Sequence, residues 1–151
     1  MKYQRLLIFL LALGAIILAV FLGSKTFTCQ ANYRDNIDVR VNSAVIKTEI
    51  AGTPAERTRG LSGRECIGKN QGMLFVFDKP DYYPFWMKNM RFPIDIIWID
   101  ASKKVVYVKS NVAPSSYPQT FVSKEPARYV LELKAGQSKE LHISENTQLN
   151  F

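Results

Sequence analysis

The chain has 151 residues and a formal net charge of +7, with 47% apolar and 22% charged residues. That length suits one domain, and that composition excludes an intrinsically disordered chain. Two cysteines and one histidine exclude a zinc ribbon or a cysteine-rich scaffold.

The first element in chain order is an apolar run over residues 6–22 with no charged and no polar side chain. As a helix at about 1.5 Å per residue it would reach roughly 26 Å, just under a hydrocarbon core of about 30 Å. Tyr3, Gly23 and Phe27 can extend it into the interface. Residues 1–23 are therefore expected to form a signal anchor or transmembrane helix, with the membrane as a partner through residues 6–22. The alternative is a cleaved signal and a secreted product. The run exceeds the roughly 7–15 residues usual for a signal core, and Gly23-Ser24-Lys25 lacks a clean small-residue cleavage site. Lys2 and Arg5 precede the run while Lys25 and Arg34 follow it, so charge alone leaves its orientation nearly tied. The short basic head favours an N-terminus in the cytoplasm and residues 24–151 outside it, periplasmic or extracellular. Lys2 and Arg5 carry two of the seven surplus charges, which leaves +5 on the rest. In an oxidising compartment Cys29 and Cys66 either pair, pinning the tether to the domain, or remain two free thiols.

Residues 24–36 form a polar juxtamembrane linker. Ile37, Val39 and Val41 then alternate with Asp38, Arg40 and Asn42, which predicts a half-buried strand. Asn42-Ser43 turns the chain into a second extended run at 45–50. Thr53-Pro54-Ala55-Glu56 is a capping box with proline at the first helical position, and Gly60 and Gly63 keep that helix short. Residues 73–77 and 85–90 are aromatic-rich runs. Ile96, Ile97, Trp98 and Ile99 are unbroken, as in a strand buried on both faces. A turn at 101–103 leads to a strand at 105–108, and a Pro- and Ser-bearing loop covers 111–126. Strands at 129–133 and 148–151 close the set, with a second short helix near 138–141. About eight short strands and one or two short helices predict an all-β fold, a compact sandwich or barrel-like domain over residues 37–151.

Catalytic signatures are sparse. Gly60-Leu61-Ser62-Gly63 has only a superficial likeness to a nucleophile elbow, because Arg64 stands where that motif requires glycine. His142 reads as a surface histidine in a turn. A thiol enzyme built from Cys66, Arg64 and His142 is disfavoured, since nothing in the sequence brings them together. No metal site and no cofactor is expected.

Residues 85–95 are richer. If 85–90 is one strand, Trp86, Lys88 and Met90 share a face, and Phe85, Met87 and Asn89 share the other. An aromatic platform beside a cation, and an amide among core side chains, suit a small-ligand pocket. They equally suit a satisfied core, in which Asn89 bonds backbone at the turn around 91–93 and Asp95 caps or pairs with Arg57 or Arg64. Asp95, Asp100 and Glu132 lie in or beside strands, where a buried carboxylate needs a basic partner. Arg57, Arg59 and Arg64 bracket the capped helix and can supply one. Paired carboxylates could also serve glycoside chemistry. The basic excess suits anionic headgroups or surface polymers. Nucleic acid is disfavoured, because no Lys/Arg stripe is present.

Four motifs occur in order: Glu56-Arg57-Thr58-Arg59-Gly60-Leu61-Ser62-Gly63-Arg64, Gly72-Met73-Leu74-Phe75-Val76-Phe77, Phe85-Trp86-Met87-Lys88-Asn89-Met90-Arg91-Phe92-Pro93-Ile94-Asp95, and Tyr129-Val130-Leu131-Glu132-Leu133-Lys134-Ala135-Gly136. Together they make residues 38–151 resemble the DUF192 family, also catalogued as UPF0127. The resemblance implies a compact β-rich fold, a prokaryotic source and frequent N-terminal signal or anchor segments. It directs attention to Arg57, Arg64, Asn89, Asp95 and Glu132, with Trp86 as their aromatic neighbour. Ser62 stands where the family pattern usually has Met, and Met90 where it usually has Thr, so a pocket lined there would differ in ligand preference.

The expected function is a membrane-tethered extracytoplasmic module binding a small or polymeric ligand. Its candidate ligand residues are Arg57, Arg64, Trp86, Lys88, Asn89, Asp95 and Glu132. One alternative is an accessory module docking an envelope or membrane protein. The other is a hydrolase or lyase using Asp95 or Glu132.

Overall fold

A computed structural model describes Cys29, Tyr33, Arg34 and residues 36–151. The expected anchor at 6–22 lies outside the described residues. Among those described, no helix is long and apolar enough to cross a membrane.

Alternating burial builds β1 (Ile37–Val41), with Val39 and Val41 inside. Asn42, at φ 51°, turns the chain into β2 (Ala44–Ala51), which pairs antiparallel with β1. The capping box then forms as expected. The Thr53 hydroxyl accepts the Glu56 N–H while Glu56 accepts the Thr53 N–H, opening helix α1 (Pro54–Arg59). Gly60 ends it at φ 51° and ψ −136°, a conformation that strains any side chain. A Cβ there would also meet the Phe75 ring at 3.2 Å.

The chain returns as β3 (Gln71–Asp81), parallel to β2. A parallel pair needs a crossover, and α1 with its following loop provides it. After β4 (Phe85–Trp86) come β5 (Ile94–Ile99), β6 (Val105–Val112), β7 (Thr120–Phe121) and β8 (Ala127–Lys134). A four-residue helix α2 (Gln137–Glu140) follows. The domain is mainly β: a mixed six-stranded sheet in the order β1-β2-β3-β8-β5-β6, with a two-stranded sheet of β4 and β7.

Both faces of the large sheet are covered. Ile94, Ile96 and Trp98 of β5 belong to a core with Met73, Phe75 and Met87, while Ile97 and Ile99 point into a second core with Val39, Leu74 and Leu149. All six residues of β5 are buried, which accounts for its unbroken apolar run. The C-terminal segment, expected as a strand at 148–151, makes isolated bridges instead. Asn150 pairs with Arg40 and Gln148 with Lys104, so the tail runs from β1 to the β5–β6 turn across the second core.

Cys29 and Cys66 are joined by a disulfide, so the alternative of two free thiols is overturned. Nearby, the Tyr33 hydroxyl donates to the Gly72 carbonyl at 2.7 Å and accepts the Gly72 N–H at 3.0 Å. The segment before β1 is thus fastened beside β3. Closing a loop of sequence separation 37 contributes about 3–4 kcal/mol in a chain-entropy account. Reduction, or Cys66→Ser, is expected to lower unfolding stability by about that amount, read from urea midpoints with and without dithiothreitol.

Candidate functional site

The motifs at 56–64 and 85–95 meet in space. The Gly63 N–H donates to the Asn89 carbonyl at 2.9 Å, and the Ser62 hydroxyl donates to the Lys88 carbonyl at 2.9 Å. These bonds hold the loop after α1 against the turn at Lys88-Asn89. That turn corrects the expectation of one strand over 85–90. The strand ends at Trp86, where its two-residue partner β7 (Thr120–Phe121) also ends, and Lys88-Asn89 form a turn with Asn89 at φ 57°. Trp86, Lys88 and Met90 therefore do not share a strand face. Trp86 is 49% exposed and Met87 is buried in the core. Lys88 and Asn89 are exposed, each offering its backbone carbonyl to the neighbouring loop.

Between these segments and the sheet lies a cavity of about 420 Å3, within the usual span of small-molecule sites. Its walls are largely aromatic. Phe75 and Phe85 meet edge to face at 4.9 Å, and Phe77 stacks on Tyr83 at 3.5 Å. Trp98 steadies this wall from beneath, donating its indole N–H to the Tyr83 carbonyl at 3.0 Å. Ser62 and Met90, two of the positions expected to depart from the family pattern, both line the cavity.

Glu132 lines it too. In β8 it sits between Met73 of β3 and Ile96 of β5, in the middle of the sheet. It is 5% exposed, and its Oε2 has no hydrogen-bond partner. Burial raises its carboxyl from the ordinary 4.5 to about 8, and the positive charge of Arg64 offsets this only in part. One register step further, Met73 is flanked by Glu49 of β2, 1% exposed. Glu49 holds the Arg64 guanidinium in a two-point pair, Nη2 to Oε2 at 3.0 Å, and that bond raises the Arg64 pKa. Arg34 approaches Glu49 at 3.7 Å from the surface. Glu49 was not among the expected site residues. Its position between Thr48 and Ile50 resembles any polar face of an edge strand.

The other expected residues separate. Arg57 donates to the carbonyls of Gly52 and Val76, the latter at 2.9 Å, and its guanidinium lies 5.1 Å from the Phe77 ring centre. It lines the cavity with its cation already engaged. Asp95 is elsewhere, opposite Leu133 of the second core. Its carboxylate accepts the N–H groups of Asn111, Gly136 and Ser138 and the Ser138 hydroxyl, at 2.7–3.1 Å. Asp95 thus caps α2 from another strand and binds neither Arg57 nor Arg64. Every oxygen is occupied, which argues against acid–base chemistry there. His142 is exposed in a turn at φ 53°. Among the described residues, no group of three or more His, Cys, Asp or Glu side chains is placed to hold a metal ion.

Two solved structures share this fold. One, from Sinorhizobium meliloti 1021, is described as a candidate transcription regulator. It is 33% identical with a TM-score of 0.71, covering 75% of this chain and 91% of its own. The other, a protein of unknown function from Novosphingobium aromaticivorans DSM 12444, is 28% identical with a TM-score of 0.72, covering 85% and 99%. No curated protein matches the chain. The profile described as DUF192, Uncharacterized ACR, COG1430, matches residues 37–151, and the chain belongs to that family.

Proposed function

We propose that the domain is a binding module that takes a small ligand in the cavity beside α1, held outside the cytoplasm by its N-terminal segment. One observation carries the binding reading: Glu132, whose carboxyl keeps a buried oxygen without a partner, is among the residues that line a cavity with five aromatic side chains. Buried polar atoms are almost always bonded, and a carboxyl left short of a partner on a cavity-lining residue is a place for a ligand group. The Cys29–Cys66 disulfide supports the location, since such bonds persist in oxidising compartments.

A thermal-shift panel of small molecules on the full chain tests the reading. At least one compound should raise Tm, and Trp86→Ala should weaken its binding roughly 5–10-fold, the loss of one aromatic contact. A panel with no hit sensitive to Trp86→Ala sinks it. A second reading, docking of an envelope or membrane protein, draws on the rings of Tyr82 and Trp86, 54% and 49% exposed, the latter lining the cavity. A regulatory role like that attached to the Sinorhizobium protein is not proposed, because Arg57 and Arg64 are engaged by internal oxygens.

A further inference from the structure

We propose that the cavity selects a ligand bearing a protonated amine on an apolar or aromatic body, with the ammonium placed against Glu132. This rests on the binding reading above and names its ligand class. The argument is one of charge balance and wall chemistry. Two buried acids, Glu49 and Glu132, flank Met73 on one face of the sheet. The half-buried Arg64 lies closest to these acids, and both ends of its fork are held by Glu49. Arg34 adds its charge to Glu49 from a side chain 66% exposed. Once ionised, Glu132 is one positive partner short, and its Oε2 is unbonded.

The remaining charges around the cavity do not fill that role. Arg57 is held by the carbonyls of Gly52 and Val76. Arg59 is exposed on the last turn of α1, where water screens it. Tyr83 contributes a ring that stacks on Phe77. An ammonium supplies both missing features, a charge and several N–H donors. The aromatic rings accept it as well, since a cation near a ring face is attracted to it while a carboxylate is repelled.

Binding then carries a proton signature. With its carboxyl at about 8, Glu132 is mostly protonated at pH 7, and an arriving ammonium displaces that proton to solvent. Affinity should therefore rise about 50-fold from pH 6 to pH 8, while an alkylamine remains charged throughout.

The experiment is calorimetric titration of the full chain with three probes of one aryl body: phenethylammonium, 2-phenylethanol and 3-phenylpropionate. The expected order of affinity at pH 8 is amine, then alcohol, then carboxylate. Nearly one proton should be released per amine at pH 7, read from buffers of different ionisation enthalpy. Glu132→Gln should bind the amine no better than the alcohol, with no pH dependence between 6 and 8. Alcohol or carboxylate binding as tightly as the amine to the unaltered chain overturns the inference and leaves the binding reading standing. If none of the three binds, the inference falls, and the small-molecule panel alone decides the binding reading. The probe order and proton release are read on the unaltered chain, so the test does not depend on the variant folding.

Discussion

Glu132→Gln is expected to remove a fall in stability that the unaltered chain shows between about pH 4.5 and 8. The sign follows from proton counts. Unfolded, the Glu132 carboxyl ionises near its ordinary 4.5; folded, it holds its proton to about 8. Between those values the native state binds one proton more, so stability decreases as pH rises, by up to about 1.4 kcal/mol per unit. The whole interval is then worth on the order of 3–5 kcal/mol. Asp38 and Glu56 act in the opposite sense. Lys47 lowers the carboxyl of Asp38, and the Thr53 N–H lowers that of Glu56, so their contribution is lost as pH falls below the unfolded values. The unaltered chain should be most stable near about pH 5. Urea denaturation from pH 5 to 8.5 checks this: the two chains should diverge steadily with pH, and parallel curves would count against a buried, proton-holding Glu132.

Arg64→Met should destabilise the domain by about 3–5 kcal/mol at pH 7, the usual cost of leaving a buried charge without its partner. Glu49, 1% exposed, would retain only Arg34 at 3.7 Å from the surface. The same change removes the cation that partly offsets the raised Glu132 carboxyl, so Glu132 should hold its proton to still higher pH. Adding Glu49→Gln to Arg64→Met should recover much of the loss, because the buried charge then goes with its partner. A double-mutant cycle by urea unfolding measures the coupling. A cycle that closes with no interaction energy would show that the pair contributes only packing.

Local chemistry made much of the fold readable from the sequence. The capping box of Thr53 and Glu56, the alternation of Ile37, Val39 and Val41, and the apolar run of β5 each carry their own structural instruction. What could not be read was pairing at a distance. Nothing in the run ending at Ala51 indicates that β2 lies parallel to β3. The aromatic run after Phe85 looks like a continuous strand, but its pairing stops at Trp86 and the chain turns at Lys88-Asn89. The site divides in the same way. Glu132 was legible as an acid inside an apolar strand. Its relation to Glu49 and Arg64 depends on three segments meeting, and Asp95, equally conspicuous in sequence, capped a helix that follows β8. The residues that carry charge information were visible, but their partners were not.

The fastening of Cys29 to Cys66 also sets how the domain would respond to a pull on its N-terminal end. Tension would enter at Cys66, two residues beyond Arg64, and pass around the chain between the two cysteines. The β1–β2 hairpin would not be peeled from the sheet edge, since it lies within the shielded stretch. The load would arrive instead at the loop whose Arg64 pairs with Glu49. Mechanically, the buried Glu49–Arg64 pair and the point of attachment are one joint.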